Sequence, residues 1–491
     1  MYSWHPDQLI TIRAGTGAGK SHFIKNDLYN IAQQQNKKIL MLIHRTNTID
    51  QFKHEIKEAG KSSTIHVKSY QSIEKLNTHH TEFNFDMYDY IVSDEFHYFF
   101  SDASFNNYTD LSLAAILGAK HQIKIFMSAT GDSMKSYLSK VPNYTIQDYY
   151  LPNDYSHIKE LSFFYKNETI EDIINHAIKT RTKTIVFLND VEKAYELYKQ
   201  HKQHALFNCS KTNGKGYYRY VDEEQIKNVL MREKFDHLLL ITTTCMDSGL
   251  NIWDDSLKNI ICDVTDVDSL IQCIGRKRVD LLNNPNDKVN LYIKALNKQS
   301  LARLYNRNNF KLKMVKNFLS HGVESLIQSN YRQVDHGQVL YDDIDENGNL
   351  VKKINKTKYA KLNIDQELLN TLRTNSSKDV YCEFMADRLG QITAEGTTYS
   401  IIEHNQERDD LNEYLYYMVG QVMLTRADRE ELINKINIKR NGKLLKSLNS
   451  LNAYLDEAKY NYAIKQFSTS RIIDGKKKNF ANAWKVVKLV G

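Results

Sequence analysis

Eight consecutive residues near the start of the chain, Ala14-Gly15-Thr16-Gly17-Ala18-Gly19-Lys20-Ser21, have the residue types that a phosphate group requires. Glycines let the backbone curl so that successive N–H groups point inward, while Lys20 supplies a positive charge and Ser21 a hydroxyl ligand for Mg²⁺. A helix expected from Lys20 to about Gln35 adds its positive N-terminal end. The stretch predicts a nucleotide-phosphate loop formed by Gly15, Thr16, Gly17, Ala18, Gly19, Lys20 and Ser21.

A pair of carboxylates follows a second apolar run. Asp94 and Glu95 come directly after Tyr90–Ser93, which predicts a strand that ends in two acidic side chains. Such a pair can also be solvated charge on a loop, but together with the phosphate loop it predicts a catalytic site. We expect Asp94 and Ser21 to bind Mg²⁺, and Glu95 to polarise a water in line with the γ-phosphate.

These residues resemble a known family. Ala14 occupies a position where most phosphate loops have glycine, and the form Ala-x-x-Gly-x-Gly-Lys-Ser is similar to that of superfamily 2 helicases. Asp94-Glu95-Phe96-His97 resembles the acidic box of their DExH type (DEAD/DEAH-like), and the resemblance extends over roughly residues 9–295. The amino-acid composition suggests an AT-rich genome, and in this respect and in its compactness the chain resembles helicases of phages and mobile elements. The resemblance implies two RecA-like domains, ATP and Mg²⁺ as ligands, and a nucleic acid as partner.

Further motifs arrive in the order of this family. Ser128-Ala129-Thr130 resembles the motif that couples hydrolysis to movement, and His97 would bridge the nucleotide site to it. Outside the resemblance, a small polar triad after a strand is an ordinary turn. Two segments resemble motifs that contact the nucleic-acid backbone, which implies that role for Arg45, Thr46, Ser69, Tyr70 and Gln71. The alternative is that they are plain helix N-caps.

Two further motifs lie in the second half of the region that resembles this family. The resemblance implies that they face the nucleotide from the other side of a cleft. Thr242–Ile252 resembles motif V, which implies nucleotide contacts by Gly249 and Asn251 and strand contacts by Thr243 and Thr244. Gln272–Arg278 resembles motif VI, which implies catalytic roles for Gln272, Arg276 and Arg278. An arginine at the γ-phosphate stabilises charge in the transition state. Arg276 is the first choice for this finger.

The chain departs from the family in two places. Motif VI has Cys273 and Val279 where arginines are usual, and Arg278 lies one place early, so that it is either a second finger or a partner of a neighbouring carboxylate. Upstream of the phosphate loop, Gln8 is too close to match the adenine-reading glutamine of relatives. Base recognition is then weak, or Tyr2 or Trp4 stacks on the base; aromatic residues near a terminus also serve packing.

Short apolar runs alternate with helical stretches along the chain and would position these motifs. This pattern occurs once over residues 1–150 and again over residues 151–297, which predicts α/β domains with buried parallel sheets, joined through residues 141–154. The predicted fold is two tandem RecA-like domains followed by a mostly helical, basic C-terminal domain, 298–491. In that domain Asp345–Asn349 predicts a hairpin turn, and helices are expected near 363–373, 406–425, 428–437 and 443–466.

Positive charge collects at the C-terminal end. The net charge of the chain is +7, of which residues 1–295 contribute −1 and residues 296–491 contribute +8. Residues 435–491 alone hold 13 basic and 3 acidic side chains. A patch that includes Lys476, Lys477 and Lys478 predicts contacts with phosphate backbones. The alternative is a solvated tail without a partner.

Composition excludes other classes of protein. No apolar run of eighteen residues and no signal-peptide pattern occurs, which predicts a soluble, cytoplasmic protein without membrane contact. Five cysteines lie far apart without metal-ligand spacing, which predicts reduced thiols. The sequence thus favours an ATP-dependent helicase or translocase acting on single-stranded or tailed DNA. The alternatives are an RNA helicase, a duplex translocase that separates no strands, and a remodelling ATPase whose C-terminal domain binds a protein.

Overall fold

Two compact units, residues 1–402 and residues 403–491, make up the chain in a computed structural model. The structure describes every residue except 1–2, 16, 45, 80, 105, 212–214, 245–250, 282, 330–338, 346, 394–395, 403–410, 412–413, 441–442, 459, 474–475 and 490–491. Among the described residues, no helix is both long enough and apolar enough to cross a lipid bilayer.

The first unit begins with a sheet of six parallel strands. In chain order they are β1 Gln8–Ala14, β2 Ile39–Ile43, β3 Ile65–Ser69, β4 Tyr90–Asp94, β5 Ile123–Ser128 and β6 Thr145–Leu151. Their order across the sheet is β3-β2-β4-β5-β1-β6. Every residue of β2 and β5 is buried, because apolar clusters cover both faces of the sheet. The edge strand β6 is a correction, since its residues were expected to belong to the connection between domains.

Helices flank this sheet and begin where its strands end. The first helical stretch consists of Lys20–His22, a π-helical turn at Phe23–Leu28 and Tyr29–Gln34. The other helices are Thr46–Glu58, Tyr70–Thr78, Tyr98–Ser101, Asp102–Ser104, Thr109–Gly118 and Asp132–Leu138. Because the helices that begin at Lys20, Thr46, Tyr70 and Asp132 follow parallel strands, their N-terminal ends lie at the carboxyl edge of the sheet, where ligands bind in open α/β sheets.

A second parallel sheet repeats the plan. Its strands are β7 Ile158–Phe164, β8 Lys183–Leu188, β9 Ala205–Asn208, β10 Leu239–Thr243, β11 Leu257–Asp263 and β12 Val289–Lys294, with Tyr399–Ile401 added beside β7. Their order is β7-β12-β11-β8-β10-β9. The flanking helices are Glu168–Lys179, Val191–Gln200, Tyr217–Tyr220, Glu223–Arg232 and Val267–Ile274. The prediction of two tandem parallel-sheet layers is confirmed.

The predicted third region, residues 298–491, is divided between the two units. Its first part, up to residue 402, belongs with the sheets. It contains helices Lys298–Ser329, interrupted at Gly322, then Lys356–Thr374 and Val380–Arg388. The expected hairpin pairs Leu340–Ile344 with Leu350–Ile354, and a shorter pair joins Ile392–Thr393 to Gly396–Thr397.

The unit 403–491 is built around a long two-stranded ribbon. Its elements are Val422–Met423, Arg426–Ile436, Lys439–Arg440, Lys443–Leu444, Leu448–Glu457, Tyr462–Ile473 and Lys476–Lys488. The helix expected over 443–466 is confirmed at Leu448–Glu457 and is wrong on both sides, where Lys443–Leu444 and Tyr462–Ile473 are strands. Buried Tyr462 and Ile464 alternate with exposed residues and pair across the ribbon with Lys488 and Val486, and this period of two is that of a strand.

The helix Lys356–Thr374, called here the bridging helix, touches both sheet layers. At its start, Thr357 Oγ1 lies 2.7 Å from Thr109 Oγ1 of the first layer, and the Lys356 amide donates to Asp110 Oδ2 at 3.0 Å. At its end, Leu372 belongs to the apolar cluster of the second layer. Between these ends, Lys361 Nζ donates to Asp266 Oδ2 at 2.7 Å.

A half-buried ion cluster fixes the middle of the bridging helix. Lys361 also donates to Asp365 at 2.7 Å, and Asp266 caps the helix Val267–Ile274 by accepting from the Ser269 amide. Burial favours the neutral acid, yet the charge of Lys361 lowers the pKa of Asp266 to about 2. For Asp365 burial outweighs Lys361 and raises the pKa to about 6. Lys361 is therefore the cation that compensates the two carboxylates here.

We predict that Lys361→Met destabilises the 1–402 unit by about 1–3 kcal/mol, because two half-buried carboxylates lose their cation. The midpoint of urea denaturation, followed by circular dichroism, measures this loss. Lys353→Met is the control: this lysine is more exposed and pairs with the single carboxylate of Asp343, so the pair should be worth less than about 1 kcal/mol. Equal losses in the two variants would contradict the role of Lys361.

Candidate nucleotide site

The phosphate loop lies between β1 and the first helix, as predicted. Gly17 and Gly19 have φ angles of +87° and +85°, which favour glycine at both positions. Lys20 Nζ donates to the carbonyl oxygens of Ala14 and Gly15 at 2.8 and 3.0 Å, and burial lowers the pKa of its amine. Its charge thus lies at the centre of the loop. Thr16 lies outside the described residues.

The two acidic residues at the end of β4 differ in backbone and in charge state. Glu95 has a φ angle of +50°, an uncommon value for a residue with a side chain and a form of strain that occurs at functional sites. Burial, and then the negative charge of Glu95, raise the pKa of Asp94 to about 7. Burial acts on Glu95 in the same sense, but its hydrogen bond with His97 and nearby positive charges hold its pKa below the ordinary value.

A hydrogen-bonded chain leads from Glu95 to the motif Ser128-Ala129-Thr130. Ser128 Oγ donates to Glu95 Oε2 at 3.3 Å and lies 2.9 Å from His97 Nδ1. The Thr130 amide donates to Ser128 Oγ at 3.1 Å, while Ala129 is half-buried between the two. His97, Ser128 and Thr130 therefore form one polar cluster beside the acidic pair. Their coupling role stays a prediction.

Gln272 joins this cluster from the second layer. The residue is buried on the helix Val267–Ile274, and its Nε2 lies 2.7 Å from His97 Nε2 and 2.8 Å from Thr130 Oγ1. The Gln272 amide thus contacts the acidic box, through His97, and the motif Ser128-Ala129-Thr130 at once. Gln272 was predicted to be catalytic; in the structure it contacts His97 and Thr130, and its catalytic role stays a prediction.

The two arginines of motif VI occupy different positions. Arg278 faces the phosphate loop: a Cβ on Gly17 would lie 3.6 Å from its Nη1. Arg276 is buried, and its Nε donates to the Gln272 carbonyl at 3.3 Å. Arg276 was the first choice for the finger, but Arg278 is the guanidinium that lies against the loop. The positive charges of Arg278 and Arg276 add to the effect of burial and lower the pKa of the Lys20 amine.

Asn251 orients Arg278. Its Oδ1 accepts from Arg278 Nε and Nη2 at 2.8 and 2.6 Å, and its Nδ2 donates to Glu233 at 3.2 Å. Asn251 was expected to contact the nucleotide, whereas its amide is already engaged by these two charged side chains. Thr243 is buried at the end of β10, and Thr244 is half-buried. Gly249 lies outside the described residues.

The predicted backbone-contact residues divide into three groups. Arg45 lies outside the described residues, as does the side chain of Thr46 at the start of its helix. Ser69 Oγ accepts from the Ser72 amide at 3.0 Å and so acts as a helix N-cap, while Gln71 is exposed and donates to the His44 carbonyl. Tyr70 is a correction. It is fully buried, stacks on the Tyr98 ring and donates to the Asp94 carbonyl, so it cannot contact a strand.

An apolar cavity of about 390 Å³ opens beside the phosphate loop. Its lining includes Trp4, which the sequence offered as a possible base contact, and two residues that the sequence did not indicate, Phe23 and Tyr149. Trp4 Nε1 donates to Tyr149 Oη at 3.1 Å. Tyr149 was missed because it lies on β6, whose pairing with β1 no local pattern shows. Tyr2 lies outside the described residues.

A charged cluster that the sequence did not indicate links the two layers near the loop. Arg13, at the end of β1, forms ion pairs with Asp132 and Asp148. Arg388 Nη2 reaches Asp132 Oδ2 at 3.1 Å and approaches Asp268 Oδ1 at 3.7 Å, and Asp268 lies on the helix that carries Gln272. Arg388 comes from a helix more than a hundred residues after motif VI, so sequence order gave no hint of this contact.

We predict that Gln272→Ala lowers kcat for nucleoside-triphosphate hydrolysis by roughly 10–100-fold with a smaller change in KM, because His97 and Thr130 lose their common partner. Steady-state phosphate release measures both constants. Gln225→Ala is the matched control, since this glutamine of the second layer is exposed and bonds only to its neighbour Asp222. A pure KM effect in Gln272→Ala would show that the residue serves nucleotide binding instead.

The cavity predicts weak selectivity for the base. Trp4, Phe23 and Tyr149 offer ring faces, and no described lining residue carries an amide or a carboxylate that could distinguish purine edges. We expect ATP, GTP, CTP and UTP to bind with dissociation constants within about tenfold of one another, and Trp4→Leu to weaken all four. Fluorescence titration measures the constants, with the exposed Trp253→Leu as control. A large preference for ATP that Trp4→Leu leaves intact would contradict this interpretation.

Comparison with known proteins identifies the first layer. Residues 5–133 match the family model ResIII, described as "Type III restriction enzyme, res subunit". This segment contains the phosphate loop, the acidic box and Ser128-Ala129-Thr130. A search of curated proteins gives no significant match.

Solved structures with a related chain course are distant. Dbp5 of S. cerevisiae bound to RNA and ADP BeF3 has 16% identity and a TM-score of 0.43, over 58% of this chain and 78% of its own. Mss116 bound to ssRNA and UDP-BeF has 13% identity and a TM-score of 0.43, over 65% and 70%. The helicase MrfA bound to DNA and AMPPNP has 15% identity and a TM-score of 0.41, over 59% and 46%. These similarities are too low to indicate what the chain binds.

Over residues 5–133 the chain is therefore similar to the ResIII family, described by the res subunit of type III restriction enzymes.

Proposed function

We propose that the chain is a motor that hydrolyses ATP between its two sheet layers and moves on a nucleic acid, with single-stranded or tailed DNA as the preferred track. The observation that carries the proposal is that Gln272 of the second layer contacts His97 and Thr130 of the first, while Arg278 lies against the phosphate loop. A phosphate-binding switch needs no second layer at this position, whereas a motor does.

The residues fit a magnesium nucleotide. Asp94 is a half-buried carboxylate beside the carboxylate of Glu95, which together with burial raises the pKa of Asp94, and a divalent cation would offset this concentration of negative charge. Ser21 and Asp94 would hold the ion. When bound, Mg²⁺ would neutralise charge on the β- and γ-phosphates. The exposed Ser21 hydroxyl, at the start of the helix, is open to this ligand.

Hydrolysis then follows from the placement of charge. Glu95, ionised at neutral pH, orients the attacking water, while Lys20 from one side and Arg278 from the other approach the γ-phosphate. Arg276 adds positive charge beside Glu95. Because Lys20 and Arg278 belong to different layers, ATP favours their approach. Loss of the γ-phosphate removes the common ligand, and this is how hydrolysis would release a clamp on the strand.

Movement requires that the layers grip the nucleic acid alternately. Arg45, Thr46, Gln71 and Thr244 remain the candidates for backbone contacts, while buried Tyr70 does not. Contacts of this kind read phosphates and not bases, so we expect little sequence specificity and a strong dependence on salt. The preference for DNA rests on the resemblance to phage and mobile-element helicases.

We predict that single-stranded DNA stimulates ATP hydrolysis, and that Glu95→Gln abolishes hydrolysis while nucleotide binding remains. Phosphate release with a panel of single- and double-stranded DNA and RNA, and titration with a fluorescent nucleotide, measure the two effects. Lys20→Ala is the contrasting variant, since it should lose binding itself. Stronger stimulation by RNA would identify an RNA motor.

The remaining outcomes separate the rival functions. Stimulation by duplex without release of a strand from a tailed substrate would indicate a translocase. Absence of stimulation by every nucleic acid would overturn the motor and favour a remodelling ATPase. Normal turnover in Glu95→Gln would remove the role given to Glu95.

A further inference from the structure

The long ribbon of the C-terminal unit has two unlike faces. It consists of the antiparallel strands Tyr462–Ile473 and Lys476–Lys488, which together carry seven Lys or Arg residues and no Asp or Glu. One face buries Ile464, Trp484 and Val486 in the apolar cluster of this unit, against helices Arg426–Ile436 and Leu448–Glu457. That face anchors the ribbon. The other, called here the outer face, lies outside this cluster, and its described residues are exposed or half-buried apart from buried Ala483.

The pairing register shows which residues share the outer face. Residues opposite each other in an antiparallel pair point to the same side, and alternate residues along a strand do so as well. Residues 465, 467, 469 and 471 therefore lie together, and their partners include Lys485, Phe480 and Lys478. The pairing register shifts between Phe467 and Thr469, but Thr469 and Arg471 stay on the same side as Phe467, opposite Phe480 and Lys478. Lys477, opposite Ile472, belongs to the other side.

Two pairs of like charges result. Lys465 is directly opposite Lys485, and Arg471 is directly opposite Lys478. Cations in such positions have Cβ atoms about 5 Å apart and repel each other. Within the described part of the chain, none of the four forms an ion pair. Lys465, Arg471 and Lys478 are exposed. The ribbon thus bears a repulsion that a bound polyanion would relieve.

Aromatic rings lie between these charges. Phe467 and Phe480 are half-buried on the outer face, and Lys485 Nζ lies 5.0 Å from the centre of the Phe467 ring. Cations that follow a phosphate backbone and rings on which bases stack are the combination by which proteins hold unpaired nucleic acid without reading its sequence. A ribbon that binds in a groove of a nucleic-acid duplex would not need aromatic rings, because the bases there are already stacked.

We propose that the outer face of this ribbon binds a single strand of nucleic acid, with Lys465, Arg471, Lys478 and Lys485 on phosphates and Phe467 and Phe480 against bases. The partner class rests on the proposed function, but the site itself is separate from the nucleotide site and lies in a different compact unit. The ribbon gives the chain a second hold on the strand that does not depend on the state of ATP.

The test uses the full-length chain, without nucleotide, and fluorescence anisotropy of a labelled 20-mer of deoxythymidine. We expect the double variant Arg471→Gln/Lys478→Gln to bind about tenfold or more weakly at low salt. The slope of log K against log salt should become shallower by about 0.7 for each phosphate that the variant no longer neutralises. Phe480→Leu should weaken binding about fivefold or more and leave the slope unchanged, because it removes a ring but no charge.

A matched control separates geometry from net charge. Lys477→Gln/Lys488→Gln removes the same two charges from the other side of the ribbon and should change affinity less than twofold. Equal losses in both double variants, or no loss in either, would overturn the proposal, with circular dichroism showing that each variant is folded. A greater loss for a blunt duplex than for the single strand would overturn the assignment to unpaired nucleic acid.

The proposal and the motor can fail independently. The same variants in the Glu95→Gln chain report binding alone, so an affinity difference there supports the ribbon even if no nucleic acid stimulates hydrolysis. Conversely, stimulated hydrolysis together with unchanged affinity of the ribbon variants would leave the motor in place and remove the ribbon site.

Discussion

The buried amide of Gln272 is the point on which the two halves of the nucleotide site depend. It donates across the cleft to His97 and to Thr130, and these two residues lie one hydrogen bond from Ser128, which itself bonds to Glu95. Buried polar groups are costly unless they find partners. The nitrogen of the Gln272 amide therefore finds these two partners only when the other layer is in place. Closure of the cleft and alignment of the acidic pair are one event.

The arrangement is held from outside by elements of the chain's last third. The bridging helix spans from Thr109 of the first layer to Asp266 of the second, and Asp266 caps the helix that carries Gln272. Arg388 adds a second tie between Asp132 and Asp268 of the same two layers. Each tie places a cation among carboxylates, so the geometry is fixed by charge balance as well as by apolar packing.

The sequence predicted the parts of the site that neighbouring residues form, and it missed the contacts between residues that are distant in the chain. The phosphate loop and the acidic pair are contiguous, and their positions follow from strand and helix patterns. The contact of Arg278 with the loop depends on a second layer, and the placement of Tyr149 depends on β6 pairing with β1. Tyr70 shows the opposite error: a motif position suggested exposure, whereas stacking on Tyr98 buries it. The ribbon was missed because its cations and aromatic rings obscure the period of two.

The bridging helix has a consequence for how the protein comes into being. A ribosome completes strands β1 to β12 by about residue 294, before Lys361, Arg388 and the added strand Tyr399–Ile401 have been made. The nascent layers then fold without the cations that tie them together, and domains generally form as units during synthesis. A competent cleft is therefore assembled only when the polypeptide extends past residue 388. A prematurely terminated product would keep every residue of the phosphate loop and of motif VI and still lack the frame that aligns them.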